Sequence, residues 1–185
     1  GNLTSIHGTI SVDVGSNDLV NSVEFSPDSS LVAVSIGRAG NGGTNGQVFL
    51  IKVADGQKLG SGMNPNGEDR FYDSAFSPDG ELIALAGNGD FYIVNITSRA
   101  TVYTLTNPPG SVNSIAWSSD GNYIAMCGGW EGGSASFDMY EFSGNSWVRI
   151  WEKSTTTSCY STDFSYDSSQ VVAGHGYYLG DGATA

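Results

Sequence analysis

The chain has 185 residues, a length sufficient for one domain with its own core, and a formal net charge of −12 at pH 7. Its 7 Lys and Arg residues are too few for the basic clusters that recognise nucleic acid or anionic membranes, so neither partner is predicted. No apolar run approaches the roughly 18 residues that span a bilayer, and membrane insertion is not predicted.

The dominant feature of the sequence is a ten-residue phrase that begins at Val20 and occurs four times. Its sixth position is always aromatic, and these anchors are Phe25, Phe76, Trp117 and Phe164. The anchors lie 51, 41 and 47 residues apart, a spacing typical of propeller or solenoid arrays. We therefore interpret residues 1–185 as a single repeat domain, or a segment of one.

Each copy of the phrase predicts a β-hairpin. A first strand, in which apolar and polar residues alternate, leads to the aromatic anchor and is followed by a turn. A second, apolar strand then covers residues 31–36, 82–86, 123–127 or 170–173. In the turn of residues 77–80, Pro presets φ, Asp bonds to local backbone and Gly accepts positive φ. The turn aspartates are predicted to have this structural role: Asp28, Asp79, Asp120 and Asp167.

Further strands complete each repeat. Third strands are predicted over residues 47–53, 91–96 and 137–142, and fourth strands over 101–106 and 147–151, with a weaker candidate at 57–62. Four short antiparallel strands in about 45 residues form the blade of a β-propeller, so the predicted fold is all-β.

The phrase resembles the first strand and turn of WD-repeat propellers, typically Val-x-Ser-Val-x-Phe-Ser-Pro-Asp-Gly, and the resemblance covers residues 19–175. The Trp-Asp dipeptide of that family is absent, since the matching places hold Ile51-Lys52, Val94-Asn95 and Tyr140-Glu141. The Gly-His dipeptide that precedes the first strand in that family is absent as well. The family's His-Ser-Trp-Asp hydrogen-bond network is therefore not available to this chain, which weighs against a typical intracellular scaffold.

The number of repeats leaves two interpretations open. Apolar and polar residues alternate over residues 6–14, as in an outer strand of a blade. The chain ends just after the second strand of the fourth repeat. The two ends either pair to close a small four-bladed ring, or the chain is part of a longer propeller. The longer propeller is favoured, because four blades lie at the bottom of the usual range and an open array leaves unpaired edges.

Glycine-rich loops between second and third strands predict a binding face. They cover residues 37–46, 128–136 and 174–182 and lie on one side of a propeller. A protein or glycan partner is predicted to bind there through Trp130, Tyr177, Tyr178 and Arg38. The alternative is that the loops are spacers and the aromatics fold back as local caps.

Cys127 and Cys159 are predicted to point to the same side of adjacent blades. A disulfide is compatible with this arrangement in an oxidising compartment, whereas the alternative is two buried thiols. Two cysteines do not make a zinc site, and His175 lacks metal-ligand spacing. Neither a metal nor another cofactor is predicted.

Two glycosylation sequons begin at Asn2 and Asn95. Asn95 lies at the exposed end of a predicted third strand, where a glycan has room. Low charge content and abundant small polar residues favour an extracellular or cell-surface location, with the cytoplasm as the alternative.

Catalysis has little support in the sequence. The chain has two histidines, His7 and His175, and neither belongs to a nucleophile elbow or a recognisable triad. We therefore predict a non-enzymatic structural, adhesive or interaction module, with self-assembly into a filament or surface assembly as an extension. The alternatives are an intracellular WD-repeat-type scaffold and a propeller hydrolase or lactonase.

Overall fold

The computed structural model describes residues 18–38, 46–106, 108, 111–129, 135–143 and 146–176, and the regular structure within them is entirely β. Their strands form four antiparallel sheets, which we call blades 1 to 4. Blade 1 contains β1 (Asp18–Phe25), β2 (Leu31–Arg38) and β3 (Gln47–Lys52); blade 2 contains β4 (Phe71–Phe76), β5 (Leu82–Gly87), β6 (Asp90–Asn95) and β7 (Thr101–Thr106); blade 3 contains β8 (Val112–Trp117), β9 (Tyr123–Gly129), β10 (Ala135–Ser143) and β11 (Ser146–Thr155); blade 4 contains β12 (Ser158–Phe164) and β13 (Val171–Gly176).

The predicted fold class is confirmed, because blades 2 and 3 are complete four-stranded antiparallel sheets. The weaker strand candidate at residues 57–62 is not a regular strand. Lys58 and Met63 instead make isolated antiparallel bridges to Ile51 and Val48 of β3, so this segment follows the outer edge of blade 1 irregularly.

The hairpin turns are built by one repeated arrangement of Ser and Asp. In each turn the Ser hydroxyl donates to the Asp carboxylate, at 2.6 Å in three turns and 2.7 Å in the fourth. The same Asp accepts a backbone N–H two residues later, at 3.0 to 3.1 Å. These bonds favour the charged form and hold the pKa of Asp28 and of Asp167 at about 2, below the ordinary 3.8.

Each repeated phrase also contains a β-bulge at its second residue, a feature that the sequence pattern did not predict. Two of these residues link neighbouring blades through their side-chain amides. Asn21 donates to the Phe71 carbonyl at 2.7 Å, and Asn113 donates to the Cys159 carbonyl at 2.9 Å. The bulge thus places a donor between the innermost strands of blades 1 and 2, and of blades 3 and 4.

The cores lie between successive blades. Beyond the bulge, the fourth and sixth residues of a phrase face the preceding blade, as Phe76 does when it packs with Ala33, Val48 and Leu50 of blade 1. The third and fifth residues face the following blade, as Ala75 does in the core shared with blade 3. A third core joins blades 3 and 4. This alternation gives every blade a backward and a forward face.

Candidate functional site: the loop-bearing end of blades 3 and 4

The structure describes only part of the predicted binding face. Trp130, Tyr177 and Tyr178 lie outside the described residues, as does the sequon at Asn2. Arg38 is the last residue of β2, where its backbone pairs with Asp18. The site is therefore built here from the strands that carry these loops.

Strand register brings the loop-bearing ends of blades 3 and 4 together. Gly129 and Thr155 both pair with Ala135, and Ser158 pairs with Gly176. Because β11 ends at Thr155 and β12 begins at Ser158, all five residues lie at one end of the two blades. The chain segments that contain Trp130, Tyr177 and Tyr178 are therefore joined to this end.

A groove of about 610 Å³ lies at this end, between blades 3 and 4. Its aromatic wall consists of Phe137 and Trp151, whose ring centroids are 5.3 Å apart with an interplanar angle of 80°. Trp151 is exposed, so its ring is available to a ligand. An exposed indole offers a large apolar surface together with an N–H donor.

The rest of the groove is polar and carries positive charge. It is lined by Lys153, Ser154, Thr155, Thr156, Thr157, Ala173 and His175. Thr155 donates its hydroxyl to the Thr157 carbonyl at 2.8 Å, which fixes the connection to β12. The residues lining the groove include no carboxylate, in a chain with 19 acidic residues. This combination suits a sugar, or a peptide with polar or acidic side chains.

A disulfide adjoins the groove. The structure joins Cys127 of β9 to Cys159 of β12, with the two Cα atoms 5.4 Å apart and a sequence separation of 32. Cys127 pairs with the groove residue Phe137, and Cys159 pairs with His175. The bond therefore fixes the two walls of the groove relative to each other. Oxidation of these cysteines in the cell stays a prediction.

A second groove, of about 650 Å³, lies at the outer rim between blades 2 and 3. It is lined by Tyr103, Leu105, Pro108, Tyr140, Trp147, Val148, Arg149 and Glu152. Burial raises the pKa of Tyr140 to about 12. Arg149 lies 3.0 Å from Glu152 and 3.9 Å from the buried Asp138, so the charges of this groove largely satisfy one another.

The groove residues were not among the sequence-predicted site residues. Trp151 ends the predicted fourth strand, and Lys153 and Thr155 lie on its continuation in β11. The alternation of apolar and polar residues along a strand gave no reason to connect them with the loops. The available signal was the run of hydroxyl residues at 154–158, directly before the fourth phrase.

Asn95 is the last residue of β6 and is partly exposed. Its side-chain oxygen accepts the N–H groups of Thr97 at 3.1 Å and Ser98 at 2.8 Å. A glycan would be attached at the amide nitrogen, and these bonds use the oxygen. Glycosylation at Asn95 stays a prediction.

Within the described residues, no group of three or more His, Cys, Asp or Glu side chains has an arrangement that could hold a metal ion. Among the same residues, no helix has the length and apolar character needed to cross a membrane.

The chain is similar to known proteins of the WD-repeat kind. The family model described as WD domain, G-beta repeat matches residues 99–152, which run from just before β7 into β11. An uncharacterized WD repeat-containing protein of Synechocystis is 24% identical over 141 residues, or 76% of this chain. The chain spans about a third of that relative, 34% of its length. Together with the antiparallel blades, these matches confirm the resemblance to WD-repeat propellers.

Proposed function

We propose that this chain, a WD-repeat-like protein built from propeller blades, is a non-enzymatic binding module whose partner occupies the groove between blades 3 and 4. The observation that carries the proposal is the composition of that groove. An exposed indole, four hydroxyl residues and two basic residues lie at the end from which the loops containing Trp130, Tyr177 and Tyr178 start. The partner is a protein or a glycan.

An extracellular or cell-surface location fits this proposal. The buried cross-blade disulfide and the partly exposed sequon at Asn95 are both compatible with an oxidising, glycosylating route. A structural or adhesive role follows from this location together with the low content of charged residues. Reduced cysteines and an unmodified Asn95 in protein from its native source would instead favour the intracellular scaffold.

Replacement of Trp151 tests the groove directly. Binding is measured on arrays of immobilised oligosaccharides and of short acidic and neutral peptides, using the 185-residue chain. We expect Trp151→Ala to weaken the strongest array signal at least about tenfold, because aromatic anchors dominate such contacts. Lys153→Ala should weaken acidic probes more than neutral ones, since it removes a positive charge.

Val102→Ala is a suitable control, because Val102 is exposed on β7 of blade 2, away from the groove. If Trp151→Ala and Lys153→Ala leave array binding unchanged, the binding site is not this groove. Circular dichroism and thermal unfolding establish that each variant is folded before its binding is compared.

A further inference from the structure

Asp138 is the one acidic residue that is buried within the described part of the chain, at 3% exposure. It lies on β10, two residues before Tyr140, and the alternation of strand side chains puts both on the face of blade 3 that packs against blade 2. A buried carboxylate is stable only where hydrogen bonds or an opposite charge replace the hydration it has lost. The partners of Asp138 therefore decide what else its surroundings require.

The protein satisfies one of the two oxygens of this carboxylate. Oδ2 accepts the Ser136 hydroxyl at 3.3 Å and lies 3.9 Å from Arg149 Nη1, which is itself 3.0 Å from Glu152. Oδ1 is buried and has no hydrogen-bond partner among the described residues. A buried acceptor without a partner loses its hydration and gains nothing in return, so Oδ1 requires a donor.

A cavity of about 10 Å³ adjoins the carboxylate, between blades 2 and 3. Asp138, Ser111 and Ser136 supply its polar side chains, and Pro108 and Met126 are among the apolar residues that line it. This volume holds about one water-sized sphere, which excludes an organic ligand. The occupant that can reach Oδ1 is thus a single water molecule or a single small ion.

The side-chain donors around the cavity are already used. The Ser136 hydroxyl donates to Asp138, and the Ser111 hydroxyl donates to Asn88, whose carbonyl and side-chain oxygens lie 3.3 and 3.2 Å away. Pro108 has no N–H to contribute. Because the serine oxygens keep acceptor lone pairs, the polar side chains of the cavity present acceptors, and the occupant is a hydrogen-bond donor or a cation.

Arg149 favours a neutral donor over a cation. Its guanidinium already lies 3.9 Å from the Asp138 carboxylate, so an ion bound to Oδ1 would add a second positive charge beside it. A metal ion such as calcium also requires about six or more oxygens, whereas the side chains of this cavity offer one carboxylate and two hydroxyls. Water has two hydrogens and no charge, and it fits both constraints.

We propose that this cavity is a binding site for one structural water molecule, which donates one hydrogen bond to Asp138 Oδ1 and another to the hydroxyl oxygen of Ser111 or Ser136. Buried waters that bridge polar groups in this way belong to the fold. The water links β10 of blade 3 to Ser111, whose side chain is bonded to Asn88 of blade 2, or to the neighbouring Ser136. The site is separate from the groove between blades 3 and 4 and does not depend on the proposed function.

The test combines a crystal structure of the 185-residue chain, at a resolution that shows ordered waters, with water–amide nuclear Overhauser effects in solution. We expect one density peak in the cavity, about 2.8 Å from Asp138 Oδ1. A long-lived water signal should appear at the backbone amides of Gly128 and Ser136, which line the cavity.

Two variants separate a water from a cation. Asp138→Asn keeps a side-chain oxygen but removes the charge, so it should retain a water and lose a cation. Asp138→Leu should lose either occupant, because an apolar side chain fills the cavity and offers no acceptor. Glu152→Gln is the control: it removes a partner of Arg149 but does not line the cavity, so the water should stay.

Three outcomes would overturn the proposal. The first is an unmodified chain whose cavity is empty in the crystal and whose amides show no long-lived water. The second is a peak that Asp138→Asn abolishes, or contacts of about 2.3 to 2.6 Å, since both identify a cation. The third is a water signal that persists in Asp138→Leu. If circular dichroism shows that Asp138→Leu does not fold, the unmodified chain and Asp138→Asn still decide the question.

Discussion

At the scale of single residues, the turn serine Ser29 is held in a backbone conformation that glycine adopts more easily. Its φ is 59°, and the equivalent residues in blades 2 and 3 are Gly80 and Gly121, with φ of 72° and 79°. A side chain at positive φ brings Cβ close to the following carbonyl oxygen, which glycine avoids.

We expect Ser29→Gly to raise the free energy of unfolding by about 0.5 to 1 kcal/mol, the relief of this strain less the added flexibility of the unfolded chain. The measurement is urea denaturation at pH 7. Gly80→Ser is the matched reverse substitution and should lower stability by a similar amount. Equal stability of Ser29→Gly and the parent would show that the turn tolerates serine without cost.

At the scale of elements, blade 4 is a two-stranded hairpin that a disulfide cross-links to blade 3. An isolated pair of strands is marginally stable in water, and β12 and β13 are the strands described for this blade. Phe164, Val171 and Ala173 pack against blade 3, Asn113 and Ser114 form hydrogen bonds to Cys159 and Thr162, and the bond from Cys159 to Cys127 adds a covalent cross-link.

We expect the double variant Cys127→Ala, Cys159→Ala to lose about 2 to 4 kcal/mol of unfolding free energy, the usual contribution of a disulfide. Hydrogen exchange should show protection lost first in β12 and β13, while β4 to β7 keep theirs. Oxidised and reduced parent protein provide the matched pair. If thiol reagent labels both cysteines in the unfolded, unreduced protein, the predicted disulfide is wrong.

The elements also show how far local sequence determines this fold. The hairpins could be predicted because Ser, Asp and the residue at positive φ are all contained within one turn. The bulges at Asn21 and Asn113 could not be predicted, because one extra residue leaves the alternation of apolar and polar residues intact in the rest of the strand. The alternation of apolar and polar residues is weak over residues 57–62, and the pairing of this segment with β3 depends on contacts made outside it.

At the scale of the whole molecule, the candidate site depends on which blades meet. Glycine content predicts loops around Trp130 and Tyr177, but the groove requires Trp151 of β11 and His175 of β13 to line the same space. Their proximity results from the packing of blade 3 against blade 4, which the alternation of residues within a single strand does not predict. The pairing of Cys127 with Cys159 was the one long-range relation that repeat alignment could suggest.

Blade packing also brings together carboxylates that are distant in sequence. Glu24 of blade 1 is largely buried, and one of its oxygens has no hydrogen-bond partner. Burial, then Asp73 of blade 2, and more weakly Asp163 of blade 4 raise the pKa of Glu24 to about 8, although the Phe76 N–H opposes the shift. The folded protein therefore favours a protonated Glu24.

The sign of the resulting pH dependence follows from this shift. In the unfolded chain Glu24 ionises near its ordinary pKa of 4.5, whereas in the folded protein it keeps its proton until about pH 8. The folded state binds more protons between these values, so the contribution of Glu24 to stability is complete below pH 4.5 and is lost as the pH rises to 8.

We expect Glu24→Gln to remove this loss, because the amide has the shape of the protonated acid and does not ionise. At pH 9 the variant should be more stable than the parent by on the order of 1 kcal/mol, allowing for solvent screening, and at pH 4.5 the two should be nearly equal. Thermal unfolding across this pH range is the measurement. Glu81→Gln removes one exposed carboxylate of blade 2 and is the control for the loss of a negative charge. A Glu24→Gln difference that does not change with pH would mean that Glu24 ionises normally in the folded protein.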